Sequence, residues 1–290
     1  MARAILFALM LACCQTVFAA GQLYRVTHEG KTSYLYGTIH VGRDGVYPLD
    51  AVASRALLDS RALVIELDIR EDKAFQQALV RHARYPDGDT VQNHLSPATL
   101  RKTEQALARA GMSLASVQHY KPWLIANLLV GAELDKNGYQ RSQAVEYALL
   151  AAAQKQDKTV RELESADYQL SLFDSLDTLQ QEQYLLEQLA DLDDGDSLKK
   201  SQALIEAWRA ADKTGIQAAW HNATTGDSIS AGFMNRVLLG KRNPEMAANI
   251  ERIMQQDQVA FVGVGLLHLV GDDGLPQLLK RRGYQVEQLY

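Results

Sequence analysis

Short aliphatic and β-branched runs stand toward both ends of this sequence while helical periodicity fills its middle, and that division constrains the fold more than any other feature. Residues 22–27 and 32–37 flank His28-Glu29-Gly30-Lys31, which has the length and the glycine of a hairpin turn. Further runs at 62–67, 159–163, 259–264 and 284–289, each bounded by polar or glycine-containing sequence, read as buried strands. Apolar residues at three- and four-residue spacing predict helices over 71–84, 97–110, 122–134, 142–156, 178–192, 197–210 and 244–256. The expected architecture is α/β: a central mixed sheet built from both ends of the chain, a cleft at its strand ends, and a large helical insertion around 70–255. No repeat, low-complexity tract or Pro/Ser-rich linker marks a boundary, so residues 20–290 read as a single domain.

The first residues differ in kind. Met1 and Arg3 precede an apolar run from Ala4 to Cys14, and Val17-Phe18-Ala19 places small or β-branched residues before a cut, so 1–19 reads as a signal peptide cleaved after Ala19. A rival lipidation signal at Leu11-Ala12-Cys13 is opposed by Met10 and by the apolar tail from Thr16 to Ala20. No later stretch reaches about 18 uninterrupted apolar residues, so no membrane span is expected, and the product is expected in the periplasm or secreted. Both cysteines, Cys13 and Cys14, fall in the leader, which leaves neither a disulfide nor thiol catalysis.

Composition removes other classes. With 47% hydrophobic and 22% charged residues the chain is an ordinary folded protein, and its formal charge of −5 gives no support to nucleic-acid binding. The acidic run Asp191-Leu192-Asp193-Asp194-Gly195-Asp196 lacks the spacing of an EF-hand and reads as a solvated loop. There is no His-Glu-x-x-His helix, no Gly-x-Ser-x-Gly elbow and no phosphate-binding Gly-rich loop; Gly263-Val264-Gly265 lacks the third glycine of a dinucleotide fingerprint.

Two segments remain that carry chemistry. Gly37-Thr38-Ile39-His40 and Gly265-Leu266-Leu267-His268 are each Gly-x-x-His at the carboxyl end of an expected strand, where ligands bind in open α/β sheets. Glycine admits close approach, and histidine supplies a metal ligand or a proton carrier near neutrality. Glu66 falls inside the expected strand 62–67, where a carboxylate is costly unless paired or metal-bound; Asp68 follows it, and Glu164 closes the strand at 159–163. Two histidines and two carboxylates at strand ends suit one divalent ion such as Zn²⁺, Mn²⁺ or Co²⁺. In Arg242-Asn243-Pro244, Asn243 is expected as a helix N-cap and Pro244 as the first helical residue; Arg242 either pairs with Glu66 or Glu164, with a slight preference for pairing, or clamps a substrate anion.

These strings occur together in a known order. Tyr34-Leu35-Tyr36-Gly37-Thr38-Ile39-His40-Val41, Glu66-Leu67-Asp68, Leu163-Glu164, Lys241-Arg242-Asn243, the segment from Phe261 to Gly271 and Arg282-Gly283-Tyr284-Gln285-Val286-Glu287 resemble the TraB/GumN family over nearly the whole chain. The resemblance, which extends to the animal Tiki proteins, implies a metal-dependent protease and an α/β fold related to erythromycin esterases and the haem-binding ChaN proteins. It implies His40 and His268 as metal ligands with Glu66, and Glu164, Arg242 and Asn243 as further catalytic candidates. One departure stands out: where the family usually has Gly-Val-Asp before its central helix, this chain has Ala144-Val145-Glu146, which makes Glu146 a further site candidate.

The leading functional expectation is therefore an exported metal-dependent hydrolase using Mn²⁺, Co²⁺ or Zn²⁺ on a peptide or protein substrate, with Glu164 as a ligand or general base and Arg242 at the oxyanion. The alternative is a non-catalytic ligand-binding protein, haem-like in its ligand, with Tyr34, Tyr36 and Tyr47 near His40. A third is an interaction protein of envelope or exopolysaccharide assembly that uses Trp123, Leu124, Ile125, Leu128 and Leu129, although their helical spacing fits core packing better.

Overall fold

The computed structural model describes residues 20–43, 49–70, 72–257 and 259–290. The expected leader with its two cysteines, and Tyr47, lie outside the described residues.

The chain opens with the expected hairpin. Glu29 and Gly30, at φ 48° and 76°, join β1 (Leu23–His28) to β2 (Lys31–Thr38), with His28 opposite Lys31. Two consecutive positive φ values give a two-residue turn whose twist matches that of the strands. Four more strands follow: β3 (Ala62–Ile65), β4 (Thr159–Glu162), β5 (Ala260–Gly265) and β6 (Gln285–Gln288). They form one mixed six-stranded sheet in the order β4-β3-β5-β2-β1-β6. β4, β3, β5 and β2 are parallel, whereas β1 runs antiparallel to β2 and to β6. The sheet is thus assembled from both ends of the chain, as expected.

Helices fill the connections. Helix α1 (Ala51–Asp59) precedes β3; α2 (Asp72–His82), α3 (Pro97–Arg109), α4 (Leu114–Val117), α5 (Pro122–Lys136) and α6 (Val145–Lys155) lie between β3 and β4. Between β4 and β5 come α7 (Ala166–Asp174), α8 (Thr178–Asp193), α9 (Asp196–Arg209), α10 (Lys213–Thr224), α11 (Ile229–Phe233) and α12 (Arg242–Asp257), and α13 (Leu275–Arg281) precedes β6. A π-helical turn, Met234–Leu239, leads into α12. No helix among the described residues is long and apolar enough to cross a membrane.

Alternation along the central strands divides the core. Leu63, Ile65, Phe261 and Tyr36 face a layer built from α1, α6 and α9, where Leu57, Leu149 and Trp208 are buried. Val64, Val262, Val264 and Leu35 face the other way, onto Met246 and Ile250 of α12 and Leu279 of α13. Side chains of successive strand residues point to opposite faces, so a strand covered on both sides reads as a continuous apolar run. That holds for β3 and β5, every residue of which is buried. It does not hold for 159–163 and 284–289, which were expected as buried strands: β4 and β6 are the two edges of the sheet, short and partly exposed.

A separate cluster joins α3, α5 and α8 through Leu107, Ile125, Leu129 and Leu185. Trp123, Ile125 and Leu129 are buried, and Trp123 stacks on Phe173 at 5.0 Å, so these members of the apolar stripe of α5 are core, whereas Leu128 is exposed. The acidic run 191–196, expected as a loop, instead spans the end of α8, the turn Asp194-Gly195 with Gly195 at φ 69°, and the start of α9; Asp191 pairs with Lys200, Asp193 with Arg109 and Asp196 with Lys199.

Candidate functional site

Parallel pairing brings four strand ends to one edge of the sheet. Thr38 is level with Gly265 and Ile65 with Gly263, so Glu66, His40 and the turn after β5 meet there. Glu66 lies just beyond β3 rather than inside it; the backbone pairing continues past the strand, with the Glu164 amide donating to the Glu66 carbonyl at 3.0 Å. The sequence order Gly-x-x-His places His268 in a 3-10 turn, Leu266–Leu269, that folds back over the end of β5.

The carboxylates are held by one guanidinium. Arg242 donates from Nε to both oxygens of Glu164 at 3.0 and 3.1 Å, and from Nη2 to Glu164 Oε2 at 2.7 Å and Glu66 Oε2 at 2.5 Å. All three side chains are buried, with 10%, 3% and 11% of Arg242, Glu164 and Glu66 exposed. Gln169 of α7 adds an amide N–H to Glu164 Oε2 at 2.9 Å and another contact to Glu66 Oε2 at 3.4 Å. Arg242 therefore pairs, and with both acids at once, through Nε and Nη2. Glu164 is equally engaged, accepting from both Arg242 and Gln169.

The other oxygen of Glu66, Oε1, accepts the Gly265 amide at 2.5 Å and lies 3.8 Å from His268 Nε2. A side chain at residue 265 would fill the space between these groups, since its Cβ would stand 3.2 Å from Glu66 Oε1, 3.2 Å from His40 Nε2 and 3.5 Å from the His268 ring. The glycine keeps a cradle open among the three expected ligands. Each imidazole turns Nε2 toward this region because its Nδ1 is tied elsewhere. His268 Nδ1 donates to Asn243 Oδ1 at 2.5 Å, and Asn243 Nδ2 donates to the Asp273 carbonyl at 2.8 Å, which settles which end of the amide is oxygen. His40 Nδ1 contacts Glu146 Oε1 at 2.8 Å. Asn243 is thus not an N-cap: α12 begins at Arg242, and the Asn243 side chain is used to orient His268.

The two histidines are not equivalent. His268 is buried, and desolvation pushes it down to about 4, so it is neutral at pH 7. His40 has 69% of its side chain exposed, and the Glu146 carboxylate raises it above 6.5, an effect that partial desolvation opposes and solvent moderates. Burial alone would raise Glu66, but the charges of His268, Arg242 and His40 together with the Gly265 amide hold it at about 2.

No group of three or more His, Cys, Asp or Glu among the described residues is already arranged as a metal cage. The donor chemistry nonetheless fits a divalent ion. Ligands about 2.1 Å from one ion at a tetrahedral angle are roughly 3.4 Å apart, close to the 3.8 Å between Glu66 Oε1 and His268 Nε2. Both imidazoles have the Nδ1 acceptor that orients a metal-binding histidine. Formal charges also match once both imidazoles are deprotonated, as metal ligation requires: Glu66, Glu146, Glu164 and Arg242 then sum to −2.

The match to known proteins agrees with this arrangement in extent. The TraB/PrgY/gumN family model covers residues 22–288, from the first strand to the last. The chain belongs to the TraB/PrgY/gumN family. It is 26% identical over 254 residues to a Shigella flexneri protein named "Uncharacterized protein YbaP", covering 86% of this chain and 88% of that one. A protein of the same name from Escherichia coli K12 is also 26% identical, over 85% of this chain and 87% of its own. No solved structure matches.

Within this family member, His40, Glu66, Glu146, Glu164, Arg242, Asn243 and His268 converge on one strand-end cluster. Asp68 does not join them; it pairs with Arg70. Tyr36 is core, its hydroxyl on the Ala20 carbonyl, and Tyr34 packs on the same core. Two participants went unread in the sequence. Thr38, whose hydroxyl donates to Glu146 at 2.6 Å, sits inside the first Gly-x-x-His, whereas Gln169 carries no local signal.

Proposed function

We propose that this strand-end cluster is the centre of an exported metal-dependent hydrolase acting on peptide bonds. The observation that carries the reading is the convergence of His40 Nε2, Glu66 Oε1 and the His268 ring on the space that Gly265 leaves open. The peptide substrate is supported by the likeness of the two Gly-x-x-His motifs to those of the Tiki proteases, and export by the leader-like residues 1–19.

Glu66, His268 and His40 would hold Zn²⁺, Mn²⁺ or Co²⁺, which when bound polarises a carbonyl and makes water a nucleophile near neutral pH. The protein's own groups supply the rest. Arg242 and Gln169 fix the orientation of Glu66, leaving Oε1 toward the cradle. Asn243 holds His268 with Nε2 inward. His40 is the exposed member of the set and forms the side of the site that an arriving substrate meets.

Calorimetric titration of the chelator-treated protein with Zn²⁺, Mn²⁺ and Co²⁺, beside His40→Ala and His268→Ala, tests the proposal. Stoichiometric binding lost in both variants, with circular dichroism unchanged and peptide hydrolysis abolished, is the expected result. Metal retained by both variants, or no specific binding by the wild type, refutes it.

A further inference from the structure

The insertion that separates β3 from β4 contributes more than a cover over the sheet. The N-terminus of α6 is stitched to the segment carrying His40 from both sides: the Val145 amide donates to the Ile39 carbonyl at 3.1 Å, and Gly42 and Gln140 exchange backbone hydrogen bonds of 3.0 and 2.6 Å. Gly42 permits this approach, because a Cβ there would stand 2.1 Å from the Gln143 carbonyl oxygen. Glu146, in the first turn of α6 and only 7% exposed, then places a single oxygen, Oε1, against both Thr38 Oγ1 at 2.6 Å and His40 Nδ1 at 2.8 Å. A carboxylate in the first turn is favoured by the helix dipole, and no side chain caps this helix. A buried carboxylate also demands donors, and the two it has come from β2 and from the loop after it.

We propose that Glu146 is the positioning residue of His40, anchored by Thr38, and that it aims Nε2 into the space beside Gly265. It acts as the counterpart of Asn243, which does the same for His268. One half of the paired-histidine site is thus completed by the helical middle of the chain, through an acid 106 residues beyond its histidine. The consequence for metal affinity rests on the hydrolase reading above, whereas the hydrogen bond itself does not.

The test separates the two. Histidine-¹⁵N-labelled, metal-free protein is observed by long-range ¹H–¹⁵N correlation, with His40 assigned from His40→Ala, and Zn²⁺ affinity is measured on the same samples. Glu146→Leu, which keeps bulk but has no acceptor, is expected to lose the protected His40 Nδ1–H signal and to weaken Zn²⁺ binding by about 10–100-fold. Glu146→Gln, which restores an acceptor of the same reach as Glu146 and of the neutral amide kind that Asn243 provides, is expected to recover the signal and most of the affinity. A Glu146→Leu protein that keeps both overturns the proposal, as does a Glu146→Gln protein no better than Glu146→Leu. If the leucine variant does not fold, absence of the signal in the wild type or in Glu146→Gln overturns it instead. If the wild type binds no Zn²⁺, loss of the signal in Glu146→Leu and its return in Glu146→Gln still support the positioning role while the metal reading fails.

Discussion

Removing Arg242 tests how the site's charges are balanced. In Arg242→Met the guanidinium that bonds Glu164 through Nε and Nη2 and Glu66 through Nη2 is replaced by an apolar chain of similar length. Both carboxylates are nearly inaccessible to solvent and retain Gln169 and the Gly265 amide as neutral donors. Breaking one buried pair costs about 3–5 kcal/mol, mostly through the charge left behind. Two stranded carboxylates place the expected loss toward the upper part of that range, partly relieved by Gln169. For a chain of this size that corresponds to a fall in Tm of about 10 °C. Urea denaturation of the chelated proteins gives the measurement, and pH supplies the internal check. Glu66 titrates at about 2 in the folded wild type against 4.5 for a free glutamate, so its stabilisation is present above pH 4.5 and is lost as pH falls toward 2. The variant lacks the Arg242 contribution, so Glu66 binds a proton at higher pH than in the wild type, and acidification relieves it. The difference between the two proteins should therefore be largest near pH 7.5 and shrink below pH 5. Adding Glu164→Gln to Arg242→Met should recover part of the loss. A difference below about 1 kcal/mol at pH 7.5, or one that does not change with pH, refutes the argument that a single guanidinium neutralises both acids.

Gly42→Ala should destabilise by about 1–3 kcal/mol in thermal melts, because the new methyl meets a backbone oxygen that cannot rotate away, and an unchanged Tm would contradict the stitched contact. Glu187 accepts the Ile229 and Ser230 amides at the start of α11 at 2.9 and 2.8 Å. Glu187→Ala should cost about 1 kcal/mol, as loss of a cap does. Burial opposes ionisation of Glu187, but its hydrogen bonds with Ser230 and Ile229 prevail and lower it below 4.5, so the difference should narrow as pH falls through the carboxylate range; an equal difference at pH 7 and pH 3 would exclude the carboxylate as its source.

The sheet was legible where burial is symmetric. Strands covered on both faces must be apolar at every position, and β3 and β5 carry that mark, as does the turn at Glu29-Gly30 in its length and glycine. Edge strands β4 and β6 have only one neighbour, and their sequences, Thr159-Val160-Arg161-Glu162 and Gln285-Val286-Glu287-Gln288, carry the polar residues of a partly exposed strand, a mark that the expectation of buried strands passed over. Helices α1, α4, α7, α11 and α13 were not anticipated, since short segments show few turns of periodicity; caps at Asp50, Ser113, Ser165 and Ser228 and a proline in the first turn of α13 define their starts instead, and α10, missed without being short, starts at the Asp212 cap.

At the site, legibility followed whether a residue's role is expressed against its own neighbours. A carboxylate just past an apolar strand, as Glu66 stands after β3, is conspicuous because burial would strip it of water, and a histidine three residues after a strand-end glycine is conspicuous by position. Asn243 met a sufficient local explanation, helix capping, and the true one is tertiary: its amide spans His268 and the Asp273 carbonyl, 25 and 30 residues away. Gln169 has no distinguishing neighbour and is defined only by the two acids it reaches. The same reasoning accounts for the inequality of the two histidines. Their motifs are identical in pattern, but one Nδ1 finds a neutral amide from the helix after the π-helical turn, and the other finds a carboxylate from the helical insertion. A repeated motif fixes where each imidazole hangs on the sheet; the acceptor behind it, drawn from a different part of the chain in each case, decides what proton that imidazole keeps.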